Sequence, residues 1–393
     1  MRDVAIIGVG AHPAGKFEDK RLKDLGREAV WKALGDAGVG AADIQVAYFG
    51  NSLGGLLTGQ EGIRGQVVLQ ESGLGGIPVI NVENACASGA TALRGAWLEV
   101  ASGSADMALA IGAEKMFVGD TAKSISALAA DSEIELSRMG MQFSATYAIH
   151  PKTNLKGKMK EYGWTPADFA KVVVKNSHNG SLNPYAQHRK PLAEEDVLTS
   201  RMIADPLTLY MCSSIADGAA AAIVCPAEDA KRYTDKPPVR IGAIALTSGQ
   251  YRLAGDTKPD MVAMTAGLAY EAAGVGPEDV DIAEVHDAMA PAELLIYEKL
   301  GFCGPGEGPR LIDDGVTTIG GRRPVNPSGG LVARGHPVGA TGLLQVAELV
   351  WQLRGEAGDR QVGNDPKVAL THNQGGLLLG MDSAACTVSI LLR

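Results

Sequence analysis

The sequence predicts an α/β fold built from two duplicated halves, with an insertion in the first half. Three internal echoes carry this reading. Ala37-Gly38-Val39-Gly40 followed by Asp43-Ile44-Gln45-Val46-Ala47 returns as Ala273-Gly274-Val275-Gly276 followed by Asp279-Val280-Asp281-Ile282-Ala283. Gly89-Ala90-Thr91 returns as Gly339-Ala340-Thr341, and Met107-Ala108-Leu109-Ala110 returns as Val368-Ala369-Leu370-Thr371. One echo could arise by chance, but three in the same order point to duplication. Helical stretches also alternate with short apolar runs, the pattern of βαβ units around a largely buried sheet.

Each half opens on a strand, Val4 to Val9 in the first and Val239 to Leu246 in the second. The stretch from Ala87 to Val100 carries Leu93, Trp97, Leu98 and Val100, and reads as a helix stopping near Gly103. Between Glu114 and Met211 the pattern breaks into charged helical stretches and loop signals such as Asn179-Gly180 and Asn183-Pro184. We read 114–210 as an insertion lying over the active site. Strand character returns at Ala219 to Val224, and the charged run Lys231 to Pro238 reads as the linker between halves. The halves are therefore 1–238 and 239–393. In the second, Ala340 to Leu353 is apolar on almost every face and stops at Gly355, as expected of a helix buried at the centre of a large fold.

Composition narrows the function classes. The 393 residues suffice for two domains and a large core. The net charge of −9 argues against a nucleic-acid binder, which would usually show a basic face. Five scattered cysteines, with no CxxC and no paired Cys/His spacing, argue against a disulfide framework or structural zinc. No apolar run of about 18 residues marks a membrane span, and Met1 to Gly8 is too short an apolar run for a signal peptide. The expectation is a cytoplasmic enzyme that engages no membrane.

Cys86 and His336 stand at matching places in the repeated motif, each three residues before its Gly-Ala-Thr. Cys86 lies among small residues in Asn84-Ala85-Cys86-Ala87-Ser88-Gly89. A helix beginning here would favour a thiolate and an oxyanion through its free N–H groups. A thiol paired with an imidazole is an activated nucleophile; the alternative is a small buried core residue. Cys212, Cys225, Cys303 and Cys386 lack such a setting and read as structural.

Glycines on both sides of His336 suggest a tight turn aimed at a ligand, against the alternative of a hydrogen-bonded turn histidine. His286, in Val285-His286-Asp287-Ala288-Met289, aligns with Gly50 at a strand end, where open α/β sheets place their sites. His372, in Leu370-Thr371-His372-Asn373-Gln374-Gly375-Gly376, sits where a strand runs into a glycine turn. His12, His150, His178 and His188 have no comparable context. No HxH or HxxxH spacing supports a metal site, and no GxGxxG or P-loop supports a nucleotide cofactor.

With Gly335-His336-Pro337-Val338-Gly339-Ala340-Thr341-Gly342 and His286-Asp287-Ala288-Met289, these motifs resemble the thiolase superfamily almost end to end. Within it, the chain is similar to the branch of sterol-carrier-protein-type and archaeal acetoacetyl-CoA thiolases. The resemblance implies a five-layered αβαβα fold, an obligate homodimer, and a loop domain sheltering the pantetheine of CoA, a role for the insertion. It implies acyl-CoA and CoA as substrates and no tightly bound cofactor. By family role, Cys86 takes the acyl group as a thioester and His336 deprotonates Cys86. Backbone N–H groups near Cys86 and Gly380 hold the acyl-enzyme carbonyl, and His286 holds the enolate oxygen. Some members of the branch work with a zinc-ribbon OB-fold subunit that completes the CoA site. The lack of an obvious basic cluster for CoA phosphates here is compatible with such a partner.

The chain departs from the family at the second thiol. Many thiolases carry it in a C-terminal Cys-x-Gly motif, where His372 stands here. The sterol-carrier-type branch takes it from His-Asp-Cys-Phe, where Ala288 stands here. His372 or His286 is then the candidate second base, since imidazole titrates near neutral pH without large tuning. The expected function is thiolytic cleavage or Claisen formation of a 3-oxoacyl-CoA through acyl-Cys86. The missing thiol leaves room for a branched or aromatic substrate such as benzoylsuccinyl-CoA. The alternatives are a non-thiolytic acyltransferase or condensing enzyme of the same superfamily and a catalytically silent scaffold subunit. The joint presence of Cys86, His336 and His286 argues against the last.

Overall fold

The computed structural model describes residues 1–149, 155–251, 259–363, 365–379 and 382–393. The chain begins with β1 (Val4–Gly15), α1 (Leu22–Ala37), β2 (Val46–Gly50), α2 (Gly54–Thr58), α3 (Arg64–Leu69), β3 (Val79–Val82), α4 (Ser88–Ser102) and β4 (Ala108–Glu114). Before the chain returns to the sheet come α5 (Thr121–Leu128), α6 (Ile134–Arg138), α7 (Phe143–Ile149), α8 (Leu155–Tyr162), α9 (Pro166–Leu182) and α10 (Glu194–Leu198). The short strands β5 (Met202–Ala204) and β6 (Leu207–Thr208) follow, and then β7 (Asp217–Pro226). The rest is β8 (Val239–Ser248), α11 (Met261–Ala273), β9 (Ile282–Glu284), α12 (Ala290–Lys299), α13 (Gly308–Asp313), α14 (Gly330–Arg334), α15 (Thr341–Arg354), β10 (Val368–Gly375) and β11 (Ala385–Leu392).

The sheet order is β3-β2-β4-β7-β1-β8-β11-β10-β9. Read outward from the β1–β8 junction, the two directions match: β1, β7, β4, β2 one way and β8, β11, β10, β9 the other. Strand polarity matches too, with β2 parallel to β4 and β9 parallel to β10, and antiparallel pairs between them. The duplication read from three short echoes is thus a symmetry of the whole sheet. The βαβ expectation describes only the outer strands of each half. The inner strands are antiparallel because β4 reaches β7 through the long insertion and β10 reaches β11 across nine residues, 376–384, fewer than a parallel crossover needs.

Three helical layers alternate with the two halves of the sheet, which makes the fold five-layered, αβαβα. On one outer face, α1 buries Leu25 and Val30 against Ile7, Ile111 and Ile223. On the other, α11 and α12 bury Met261 and Leu294 against Leu370 and Val388. In the middle, Leu93 and Val100 of α4 meet Leu343 and Val350 of α15, enclosed by Ile6 and Ala110 from one half and Ile241 and Ala369 from the other. Each such leucine contributes about 1.5–3 kcal/mol on burial. The central position explains why α15 is buried nearly all round, with its polar Gln345, Glu348 and Gln352 buried and hydrogen-bonded among the apolar side chains. Both central helices stop at left-handed glycines, Gly103 with φ 85° and Gly355 with φ 74°. Among the described residues no helix is long and apolar enough to cross a membrane, and all five cysteines are free.

Candidate functional site

The backbone presents Cys86 and His336 in the same way. Ala85 and Gly335, the residues just before them, have φ values of 48° and 102°. The chain therefore turns sharply before each reactive side chain. For Ala85 this left-handed conformation costs on the order of 1–3 kcal/mol, strain held by the surrounding packing.

The threonine of each Gly-Ala-Thr then locks its turn. The Thr91 hydroxyl donates to the Ala87 carbonyl at 2.9 Å and accepts from Asn84 Nδ2 at 2.9 Å. The Thr341 hydroxyl donates to the Pro337 carbonyl at 3.0 Å and stands 2.7 Å from His336 Nδ1. With its proton committed to Pro337, Thr341 can only accept from Nδ1–H. That tautomer leaves the lone pair on His336 Nε2, which lies 3.2 Å from Cys86 Sγ. The imidazole is thus oriented to take the thiol proton.

Both side chains are 7% exposed. Burial, then the Asp131 and Glu114 carboxylates, pushes the Cys86 thiol well above its usual range. Burial, then Arg334, pulls His336 down to about 3. The resting pair is a thiol and a neutral imidazole. The thiolate expected from the helix N-terminus is not the resting state: α4 begins only at Ser88, and desolvation with two carboxylates outweighs the dipole.

His286 joins this pair. Its ring centroid is 5.1 Å from that of His336, edge-on. Asn373 Nδ2 lies 3.3 Å from His286 Nδ1 and also donates to Gln345 Oε1 at 3.2 Å. Accepting that N–H places the His286 proton on Nε2, a donor suited to an oxyanion. Burial first, then His336 and His372, pulls its pKa well below the usual value, so it donates as a neutral ring.

His372 is fully buried, and its Nδ1 accepts the His286 backbone N–H at 3.4 Å. It does not line the cavity, whereas Gln374 does. Strand alternation puts both on one face of β10, but His372 sits two residues, roughly 7 Å, further from the turn. Burial pulls its pKa down to about 3, as for His336; what sets His372 apart from the expected base is its position, outside the cavity that Cys86, His286 and His336 line. Gly380, expected to contribute an oxyanion donor, lies outside the described residues, as does His150.

Asp287 anchors the region. It accepts from Leu331 N at 2.7 Å and from Asn176 Nδ2 at 3.0 Å. Asn176 Nδ2 also donates to Glu293 at 2.8 Å, and Glu293 pairs with Lys175 at 2.8 Å. This buried network ties the His286 loop and the α14 loop leading to His336 onto α9 of the insertion.

A cavity of about 170 Å³ opens over the three reactive side chains. Leu128, Phe143 and Tyr147 enter it from the insertion, and Met261, Val262 and Met289 from the second half. Ala288 lines it as well. Cys86, His286 and His336 offer ligand atoms within 4.8 Å of one another, the spacing of a small metal site. The hydrogen bonds disfavour that use, because His286 presents N–H rather than a lone pair. Thr341, Asn373 and Tyr147 escaped the sequence reading. The first two sit inside the motifs around His336 and His372 and could have been found by asking what orients each histidine. Tyr147 lies in the insertion, which has no repeat partner to mark it.

Comparisons with known proteins agree with this geometry. Residues 4–228 match the family model described as "Thiolase, N-terminal domain", and residues 246–389 match "Thiolase C-terminal domain-like". The chain is 46% identical to an acetyl-CoA acetyltransferase of Methanothermobacter thermautotrophicus, over 96% of this chain and 97% of that one. It is 40% identical to the benzoylsuccinyl-CoA thiolase subunit BbsB of Thauera aromatica, over 95% of each. Among solved structures, the "Ltp2-ChsH2(DUF35) aldolase" superposes with a TM-score of 0.80 at 25% identity, covering 100% of this chain and 98% of that chain. Two matching domains spanning nearly the whole length, and relatives covered end to end, make this chain a member of the thiolase family and an acyltransferase.

Proposed function

We propose that the protein cleaves or forms a 3-oxoacyl-CoA through an acyl thioester on Cys86. The observation that carries this is the chain Thr341–His336–Cys86, with its two contacts of 2.7 and 3.2 Å. His336 Nε2 takes the thiol proton as sulfur attacks the 3-oxo carbonyl. His286 Nε2–H, held by Asn373, steadies the enolate oxygen of the departing acyl-CoA. CoA then takes the acyl group from Cys86.

The cavity supports an acyl group larger than acetyl. Leu128, Phe143, Met261, Val262 and Met289 give it apolar walls, and a benzoylsuccinyl-CoA thiolase subunit is among the relatives. A branched or aromatic 3-oxoacyl-CoA is the substrate class we infer. That relative is one subunit of its thiolase, and the similar aldolase is named with a DUF35 component beside Ltp2. Both support work beside an accessory subunit. The family supports a homodimer.

Ala288, at the place of a second thiol and lining the cavity, favours a second reading, a condensing or acyl-transferring enzyme without thiolysis. Incubation with short and aromatic acyl-CoAs, followed by peptide mass mapping, is expected to place the acyl increment on Cys86. His336→Ala is expected to slow acylation by roughly 10²–10⁴-fold. No adduct on Cys86, with His336→Ala unchanged, would sink both readings. Loss of a 3-oxoacyl-CoA on adding CoA separates the first reading from the second.

A further inference from the structure

The reaction proposed above needs a second proton donor, because the departing acyl-CoA leaves as a carbanion at its α-carbon. The cavity limits the choice. Cys86 carries the acyl group at that moment, and His336 faces its sulfur at 3.2 Å. His286 is held with its N–H for the oxyanion. Asp260 caps α11 through Val262 N at 2.8 Å and pairs with Lys299 at 3.1 Å, and Asp382 accepts from Gln250 N at 3.1 Å. Tyr147 is the remaining titratable side chain among the described cavity residues.

Its placement suits the task. Tyr147 stands on α7, and its hydroxyl is hydrogen-bonded by the Gln374 side chain. The residue after Gln374, Gly375, approaches the nucleophile so closely that a Cβ there would lie 2.6 Å from Cys86 N. Tyr147 thus lines the same cavity as Cys86, and the side chain that holds its hydroxyl belongs to the residue next to the one packed on the Cys86 loop. Ala288, in the same cavity, contributes only a methyl group. Burial pushes the phenol up to about 12, against the pull of Gln374, so it rests protonated.

We propose that Tyr147 is the second acid–base group, giving its proton to the α-carbon of the departing acyl-CoA. This rests on the thiolase reading above. As the Cys86 sulfur–carbon bond forms and the carbon–carbon bond breaks, the electron pair moves to the α-carbon. The Tyr147 O–H bond then breaks and an α C–H bond forms. The tyrosinate recovers a proton from the thiol of the incoming CoA, whose sulfur attacks the acyl thioester. Cys86 leaves as thiolate and takes its proton back from the His336 imidazolium, so every proton and charge returns to its starting place.

Two exchange rates test this. Deuterium uptake at the α-carbon of acetyl-CoA in D2O reports the carbon-acid step. Transfer of a propionyl group from propionyl-CoA to isotopically labelled CoA reports acyl transfer, which needs only Cys86 and His336. For Tyr147→Phe, the ratio of the first rate to the second is expected to fall by about 100-fold or more. A ratio within about threefold of wild type, whether both rates hold or both fall, overturns the assignment. Wild-type protein that transfers acyl groups but exchanges no α-deuterium overturns it as well. Wild-type protein that does neither overturns the thiolase reading itself.

Discussion

Gly89 and Gly339 touch across the centre of the molecule: a methyl group on Gly89 would stand 2.7 Å from the Gly339 carbonyl oxygen. The two copies of one motif pack against each other at their glycines. That contact brings Cys86 and His336, 250 residues apart in the chain, to 3.2 Å. Gly89→Ala must push the two turns apart. Overpacking of this kind costs about 1–3 kcal/mol, so thermal melting should fall and acylation of Cys86 should slow together. A variant with wild-type melting and activity would show that the glycine contact is not needed.

The orientation of His336 rests on Thr341. Thr341→Val keeps the shape and removes the acceptor for Nδ1–H. The ring then loses its fixed tautomer, and acylation should slow by about 10–100-fold, the usual effect of removing a group that orients a reactive histidine. Circular dichroism and melting should stay near wild type. Steady-state kinetics on the purified variant checks the expectation, and an unchanged rate would remove Thr341 from the mechanism.

The neutral resting pair sets the pH behaviour of Cys86. Its thiol is raised well above the usual range and His336 is lowered to about 3. A preformed ion pair would react with iodoacetamide at a rate nearly flat with pH. A neutral thiol instead reacts faster as pH rises, since the thiolate is the nucleophile. Alkylation of Cys86, followed by mass spectrometry from pH ~6 to ~9, should climb throughout, and a plateau would contradict the neutral pair.

His372 couples stability to pH. It is buried and neutral, pulled by burial from 6.5 to about 3. Between those values the unfolded chain binds a proton that the folded chain refuses, so this residue's contribution falls as the pH falls. The slope is about 1.4 kcal/mol per pH unit. In His372→Asn, stability from denaturant unfolding should decline less steeply by about that slope between pH 6.5 and ~5. Parallel curves for the two proteins would refute the assignment.

Much of the fold was legible because duplication leaves marks in the sequence. The echoes around Gly38, Gly89 and Met107 mark equivalent turns and strands, and α4 and α15 stop at Gly103 and Gly355 because glycine accepts the left-handed conformation. The antiparallel inner strands were not legible. Apolar runs such as Ala219 to Val224 look alike in either direction, and only the path through the insertion sets the polarity of β7.

The residue types and spacing by themselves determined that a thiol and an imidazole occupy twin places in a repeated unit, because chemistry and repetition are both written in one dimension. Tertiary structure decided their working states. Burial and the nearby Asp131 and Glu114 carboxylates keep Cys86 protonated, Thr341 turns the His336 lone pair toward it, and distance from the turn leaves His372 short of the cavity that Gln374, on the same face of β10, reaches. Each outcome depends on what surrounds a group in space, since desolvation, hydrogen-bond direction and distance from a turn arise only once separate segments have packed.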